Sequence, residues 1–128
     1  MTALKQMGRE EFIGKILAGE RDFSGIELEN KLDFSGESFD ALQKYLMAQD
    51  LKTTPLDISN SLFLRIKAKG LHLPYVKAQG TDFEEANLWG ANLKGANLGG
   101  AYLWEAYLWG ANLWGANLGG ANLCGADL

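Results

Sequence analysis

The chain has 128 residues, 22% of them charged, and its formal net charge is −4 at pH 7. That length suffices for one domain with a hydrophobic core, and the composition argues against disorder and against direct nucleic-acid binding through a basic surface. No run of 18 apolar residues predicts a membrane span, and the start of the chain lacks a secretory signal, so we expect no membrane association. The single cysteine, Cys124, excludes an internal disulfide, and a cytoplasmic location is the default expectation.

Residues 8–19 predict a short amphipathic helix that Gly19 can end. Its apolar positions fall on one face: Phe12, Ile13, Ile16 and Leu17. In residues 21–40, Phe23 and Leu28 are five apart, and so are Phe34 and Phe39, with one extra residue between Asn30 and Asp33. This stretch reads either as an irregular first turn of the repeat that follows or as a loop, and we favour the first.

Residues 40–51 predict a second helix, inserted before the regular part of the chain. Leu42, Tyr45 and Leu46 share a face, and Ser38 is a candidate N-cap. Thr53, Thr54 and Pro55 follow and end the helix. We expect it to pack back on the rest of the domain, and its sequence indicates no ligand.

A five-residue register begins at Leu56 and runs without a slip to Leu128. Between Ala86 and Leu128 each unit reads Ala, then Asn, Tyr or Asp, then Leu, and the fifth residue is Gly in seven of the eight complete units. Earlier units keep the core volume: the small centres Ala68 and Ala78 follow the larger Ile66 and Val76. Internal repeats of this kind decide the fold.

A period of five fits neither a helix nor a continuous strand, since the Leu residues would fall on every side of a helix or on both faces of a strand. It fits a short extended segment followed by a corner, where Gly supplies the positive φ of a tight turn. Four corners close a square, so twenty residues should form one coil. Residues 56–128 then contain 15 central positions.

The A(N/D)LXX pattern of nine consecutive units from Ala86 resembles the pentapeptide-repeat protein family. The resemblance implies a right-handed quadrilateral β-helix, an all-β solenoid, for this single domain of residues 1–128. Residues 8–19 would then cap the first coil, whose exposed core and strand edge need cover, although a partner-binding role for that helix is the alternative. The family is common in cyanobacteria, where most members have no assigned function.

The sequence offers little catalytic chemistry, and we expect no enzyme, no cofactor and no metal. His72, the one histidine, stands at an outward position. No nucleophile–base set and no metal-ligand spacing can be assembled, and the glycines recur at corners without a phosphate-loop Lys-Ser or Lys-Thr. Glu84 and Glu85 are adjacent corner residues on the surface, not an acid/base pair in a cleft.

Exposed aromatic residues favour a protein-interaction module with an unidentified protein partner. The predicted surface consists of Trp89, Tyr102, Trp104, Tyr107, Trp109 and Trp114. Trp104, Trp109 and Trp114 should occupy successive corners of one coil, as a partial belt. The alternative is repeat duplication, with each Trp lying flat over a neighbouring Gly.

The resemblance also allows a DNA mimic, because some family members bind DNA gyrase or topoisomerase IV and confer quinolone resistance. The charges oppose this reading: residues 56–128 hold six acids and five bases. Lys67, Lys69 and Lys77 are read as a small basic cluster on a solvated face. Because several family members dimerise end to end, we expect a homodimer that stacks its C-terminal coils near Cys124; the alternative is a longer natural chain.

Overall fold

The computed structural model describes residues 3–128, most of which form a β-helix. From Asp57 onward, parallel β-bridges join each outward residue to the one twenty positions later, as in Asp57↔Lys77 and Lys67↔Asn87. Leu88 N–H donates to the Tyr107 carbonyl (2.8 Å), and Asn87 N–H donates to the Ile66 carbonyl (2.8 Å). Each twenty-residue coil carries four such bridges, one on each side.

Two features make the chain turn: one is found in every five-residue unit from Leu56 to Gly125, and the other in the units whose outward residue is Asn or Asp. The fifth residue has positive φ, between 66° and 74° at the glycines from Gly70 onward. The outward Asn or Asp accepts a hydrogen bond on its side-chain oxygen from the N–H two residues later, as Asn87 does from Trp89 (3.1 Å) and Asp82 from Glu84 (2.9 Å). These short turns explain why a small amide or carboxylate recurs at the outward position.

The interior of the rod is filled by side chains. Central residues from Ile58 to Leu108 are buried, and Ile66 and Val76 fill the space beside the small Ala68 and Ala78. The only buried polar residues in the described part are Ser61 and Thr81, and both hydroxyls donate to carbonyls, Thr81 to that of Ile58 at 2.7 Å. Satisfied hydroxyls of this kind do not destabilise a core.

The N-terminal part adds an incomplete coil and one strand that the sequence analysis missed. Asp22, Glu27 and Asp33 bridge to Asp57, Leu62 and Lys67. The sequence separation between bridged residues is 35 before Lys31 and 34 after it, and Lys31 has a φ of +63°. The extra residue therefore lies between Asn30 and Asp33, as predicted. Strand β1, Lys5–Met7, pairs in parallel with strand β2, Ile26–Leu28, and so adds a further layer at this end.

Helix α1, Arg9–Leu17, follows β1 and covers the end of the core. Its Phe12 ring lies 5.0 Å from the ring of Phe23, 6.0 Å from Phe34 and 5.7 Å from Phe63, measured between ring centroids. Gly19 N–H donates to the Ile16 carbonyl (2.9 Å) with φ +99°, which ends the helix. The aromatic contacts join the helix to two successive coils.

Helix α2 spans Gly36–Met47, so the predicted bounds of 40–51 are wrong by four residues at each end. Phe39, read from its five-residue spacing as the centre of a coil unit, is a helical residue that packs against Phe34 with ring centroids 6.1 Å apart. Ser35 takes the N-cap position, and Ser38 lies inside the helix. The spacing misled because Phe39 also begins the apolar face that Leu42 and Leu46 continue.

The side chain of Gln43 on α2 completes the hydrogen bonding of the first full coil. Its Oε1 accepts from the His72 N–H (2.8 Å), and its Nε2 donates to the Gly70 carbonyl (2.7 Å). One coil later, the equivalent N–H of Asn92 donates to the Leu71 carbonyl (2.9 Å). The Gln43 amide therefore stands where a preceding coil would supply a peptide group.

Candidate interaction surface

Six large aromatic side chains stand on the exterior of the second and third full coils, residues 76–95 and 96–115 when coils are counted from Leu56, and we call them the aromatic surface. Their outward and corner positions keep them in solvent: Trp114 is 74% exposed, Trp109 55% and Trp104, the least exposed, 36%. The full set is Trp89, Tyr102, Trp104, Tyr107, Trp109 and Trp114. Trp104, Trp109 and Trp114 follow one another at five-residue intervals within one coil.

Two of these rings stack in a column along the rod. Trp89 and Trp109, one coil apart, have ring centroids 5.4 Å apart and planes inclined by 15°. Lys69, one coil before Trp89, places its Nζ 4.2 Å from the centroid of the Trp89 ring. A cation over the face of a tryptophan is attracted by the ring quadrupole, so the column holds its rings in place.

A second column repeats this arrangement at the next corner. The Nζ of Lys94 lies 5.3 Å from the centroid of the Trp114 ring, again with the lysine one coil earlier in the chain. The sequence analysis missed both lysine–tryptophan contacts, although the spacing of twenty residues between Lys69 and Trp89, and between Lys94 and Trp114, was the available signal. These lysines restrict the motion of two of the exposed Trp rings.

One side of the rod joins the aromatic column to charged residues, and we call it the Lys67–Asp127 side. It consists of residues 66–70, 86–90, 106–110 and 126–128, with Lys67, Asn87, Tyr107 and Asp127 bridged in order along its middle. A groove of about 630 Å³ borders it toward the Arg65–Glu85 ion pair (2.9 Å), and one of about 260 Å³ borders it toward Trp89.

The lysines read together from the sequence lie on two sides. Lys67 and Lys69 belong to the Lys67–Asp127 side, whereas Lys77 bridges Asp57 and Asn97 two sides away. Ten residues separate Lys67 from Lys77, which is half a coil. The predicted three-lysine cluster is therefore wrong, because the coil carries Lys77 to the opposite side.

The remaining reactive groups stand apart from one another. His72 is half-buried, and burial lowers the pKa of its imidazole. Cys124 is exposed on the last coil. Among residues 3–128, no group of three or more His, Cys, Asp or Glu side chains is placed to hold a metal ion. None of the helices in that range has the length and apolar character to cross a membrane.

The repeats match a known family. A profile described as pentapeptide repeats matches residues 75–109 and 101–128, in eight copies. Residues 75–128 therefore belong to the pentapeptide-repeat family. The fold implied by this family and its solved relatives is a right-handed β-helix, in agreement with the twenty-residue bridging of this chain. No curated protein sequence matches the chain.

Solved pentapeptide-repeat proteins share the architecture. HetL of the cyanobacterium Nostoc sp. strain PCC 7120, described as involved in heterocyst differentiation regulation, is 28% identical over 95% of this chain and 49% of its own, with a TM-score of 0.63. Rfr23 of the cyanobacterium Cyanothece 51142 is 25% identical over 83% of this chain and 56% of its own, with a TM-score of 0.53. This pentapeptide-repeat chain spans about half the length of both.

Proposed function

We propose that this pentapeptide-repeat chain is a non-enzymatic protein-interaction module that binds a partner protein through its aromatic surface. The observation that carries the proposal is the exposure of six Trp and Tyr side chains on a small rod. Between Ala86 and Leu128 only Lys94, Glu105 and Asp127 are charged, so little desolvation opposes burial of the rings. Large exposed apolar patches, and Trp and Tyr in particular, characterise interfaces.

The exposed area of the rings favours this reading over simple repeat duplication. Trp114 is 74% exposed and Trp109 is 55% exposed. Trp109 stacks on Trp89 with ring centroids 5.4 Å apart, and the Nζ of Lys94 lies 5.3 Å from the centroid of the Trp114 ring, yet both rings keep this exposed area. Another molecule can therefore contact them.

The test is affinity capture of binding proteins from the native host with two doubly substituted chains. Trp109→Ala/Trp114→Ala removes the two most exposed Trp rings, and Leu17→Ala/Met47→Ala removes comparably exposed apolar side chains from the two helices. We expect a partner captured by the unmodified chain to be lost only with the tryptophan variant. Equal capture by all three chains would contradict the proposal.

The DNA-mimic alternative receives no specific support from the surface. A mimic needs acidic groups in register along the rod. The Lys67–Asp127 side does not meet this need, because it carries Lys67 and Lys69 as well as Asp127. Its neighbour Glu85 is paired with Arg65 at 2.9 Å, which neutralises the carboxylate. We retain the interaction module as the proposal, and a gyrase supercoiling assay with and without the chain tests the alternative directly.

We propose separately that the chain is cytoplasmic and that it self-associates end to end; the interaction proposal depends on neither. In the 128-residue chain the central residues of the last coil, Leu113, Leu118 and Leu123, are only partly buried, and Leu128 is 68% exposed. Stacking of two such ends would cover them. Light scattering on the unmodified chain tests this contact, since a monomer at all concentrations would exclude it.

A further inference from the structure

The two ends of the Lys67–Asp127 side carry opposite charge. Four cations and two carboxylates surround its N-terminal half, which leaves a net charge of +2: Lys31, Arg65, Lys67 and Lys69, with Asp33 and Glu85. Glu105 and Asp127 border its C-terminal half and give it a net charge of −2. We call these halves the basic end and the acidic end. They lie about 14 Å apart, since three coil steps of about 4.8 Å separate Lys67 from Asp127.

An exposed aromatic strip lies between the two ends. Tyr107, 54% exposed, stands on the midline, and the stacked Trp89 and Trp109 rings flank it. The larger groove borders Tyr107, and the smaller one lies between Tyr107 and Trp89, so side chains of another molecule can enter beside the rings. Uncharged aromatic groups at the middle with charges toward the rim are the usual composition of a protein interface.

A partner cannot extend this side by strand pairing. Its backbone N–H groups already donate within the rod, as those of Asn87 and Tyr107 do to the carbonyls of Ile66 (2.8 Å) and Ala86 (2.9 Å). Recognition must therefore be by side chains, and the arrangement of charges decides which surface fits.

We propose that the occupant of this side is a second copy of the chain, laid antiparallel across a two-fold axis perpendicular to the rod. The axis places the basic end of each copy over the acidic end of the other, so the opposite-charge contact forms twice. A parallel arrangement would set like charge against like. The same rotation lays the Trp89–Trp109 column of one copy against that of its partner.

The inference rests on the proposed interaction function, because it assigns a partner to three residues of the aromatic surface, Trp89, Tyr107 and Trp109. It differs from end-to-end stacking, in which the Lys67–Asp127 side would stay exposed. The side is small, extending only about four coils of about 4.8 Å each. Small interfaces form reversible complexes, so the association depends on concentration and weakens with added salt.

The antiparallel contact can be tested by reversing the net charge of the basic end or of the acidic end. Lys67→Glu/Lys69→Glu makes both ends of one variant acidic, and Glu105→Lys/Asp127→Lys makes both ends of another basic. In sedimentation equilibrium each variant alone should self-associate at least about tenfold more weakly than the unmodified chain. An equimolar mixture should associate to within about threefold of the unmodified chain, because each variant then complements the other.

Two controls separate this contact from the alternatives. Lys44→Glu/Lys77→Glu reverses two exposed lysines elsewhere, on α2 and on the opposite side, and should leave association unchanged. Leu118→Lys/Leu123→Lys places charge on the last coil, which would weaken end-to-end stacking but should leave the antiparallel contact unchanged. Recovery in the mixture would show that both charge variants are folded.

Three outcomes would overturn the inference. They are a monomeric unmodified chain at all concentrations, a mixture as weak as its components, and association lost only with the last-coil variant. The first would leave the proposed function intact, since capture of a different protein is measured separately. The third would assign self-association to the ends of the rods.

Discussion

The fifth residue of each unit shows how one atom can decide stability at a corner. Gly90 and Gly95 have the same φ of +66°, a backbone conformation that favours glycine. Their surroundings differ: apart from the residues next to it in the chain, nothing lies within 4 Å of a Cβ built on Gly90, whereas the Tyr75 ring lies 2.5 Å from one built on Gly95. The two positions therefore separate backbone strain from steric overlap.

We predict that Gly95→Ala destabilises the chain more than Gly90→Ala. Both substitutions place a Cβ in the left-handed region, at a cost of about 1–2 kcal/mol, and only Gly95→Ala also displaces a packed ring, at about 1–3 kcal/mol more. Urea unfolding of the two variants measures the difference. In the Tyr75→Ala background that difference should vanish, and its persistence would show that the ring is not the cause.

At the scale of elements, α2 does more than interrupt the β-helix. It replaces part of a coil, because the Gln43 amide accepts from the His72 N–H at 2.8 Å and donates to the Gly70 carbonyl at 2.7 Å. Arg21 ties the helix to the first coil through the Tyr45 hydroxyl at 2.7 Å. An inserted helix can thus cover the edge of a solenoid, where backbone groups would otherwise be unpaired.

We predict that Gln43→Ala lowers the free energy of unfolding by about 1–2 kcal/mol, since it leaves a half-buried N–H without its acceptor. Hydrogen exchange of the His72 amide should become faster than in the unmodified chain, while that of the Asn92 amide, paired within the rod, should not. Lys44→Ala, on the exposed side of the same helix, is the control. Unchanged exchange at His72 would mean that the side-chain amide does not protect it.

The sequence predicted the parts of the fold that repeat. The central residues from Ile58 onward, the corner glycines and the twenty-residue coil all follow from a period that no other element fits. Strand β1 was not predictable in this way, because Lys5–Met7 is three residues long and its pairing with β2 is a tertiary contact. The start of α2 was misjudged because Phe39 fits both the five-residue period of the coil and the helical period of Leu42 and Leu46.

The candidate surface was predicted less completely than the fold. An outward register position sufficed to expose Trp109 and Trp114, since exposure depends only on the repeat. Which charges accompany them depends on side-chain conformation and on the coil geometry. Lys69 over Trp89 and the separation of Lys67 from Lys77 required the structure.

At the scale of the whole molecule, burial of the central column falls along the rod. Leu98 and Leu103 are fully buried between two coils, whereas Leu118 and Leu123 have a coil on one side only in the 128-residue chain. In a solenoid each coil is stabilised mainly by its neighbours, so the same substitution should have different effects at the two positions.

We predict that Leu98→Ala costs about 2–5 kcal/mol, and that Leu118→Ala costs about half as much in the monomer, because it removes less buried area. Urea unfolding at low protein concentration measures both. If copies stack end to end, the Leu118→Ala effect should grow with protein concentration, since the partner's last coil then buries that side chain, while the Leu98→Ala effect stays constant. Equal and concentration-independent effects would contradict the gradient of burial and would mean that Leu118 is packed as tightly as Leu98 in the monomer.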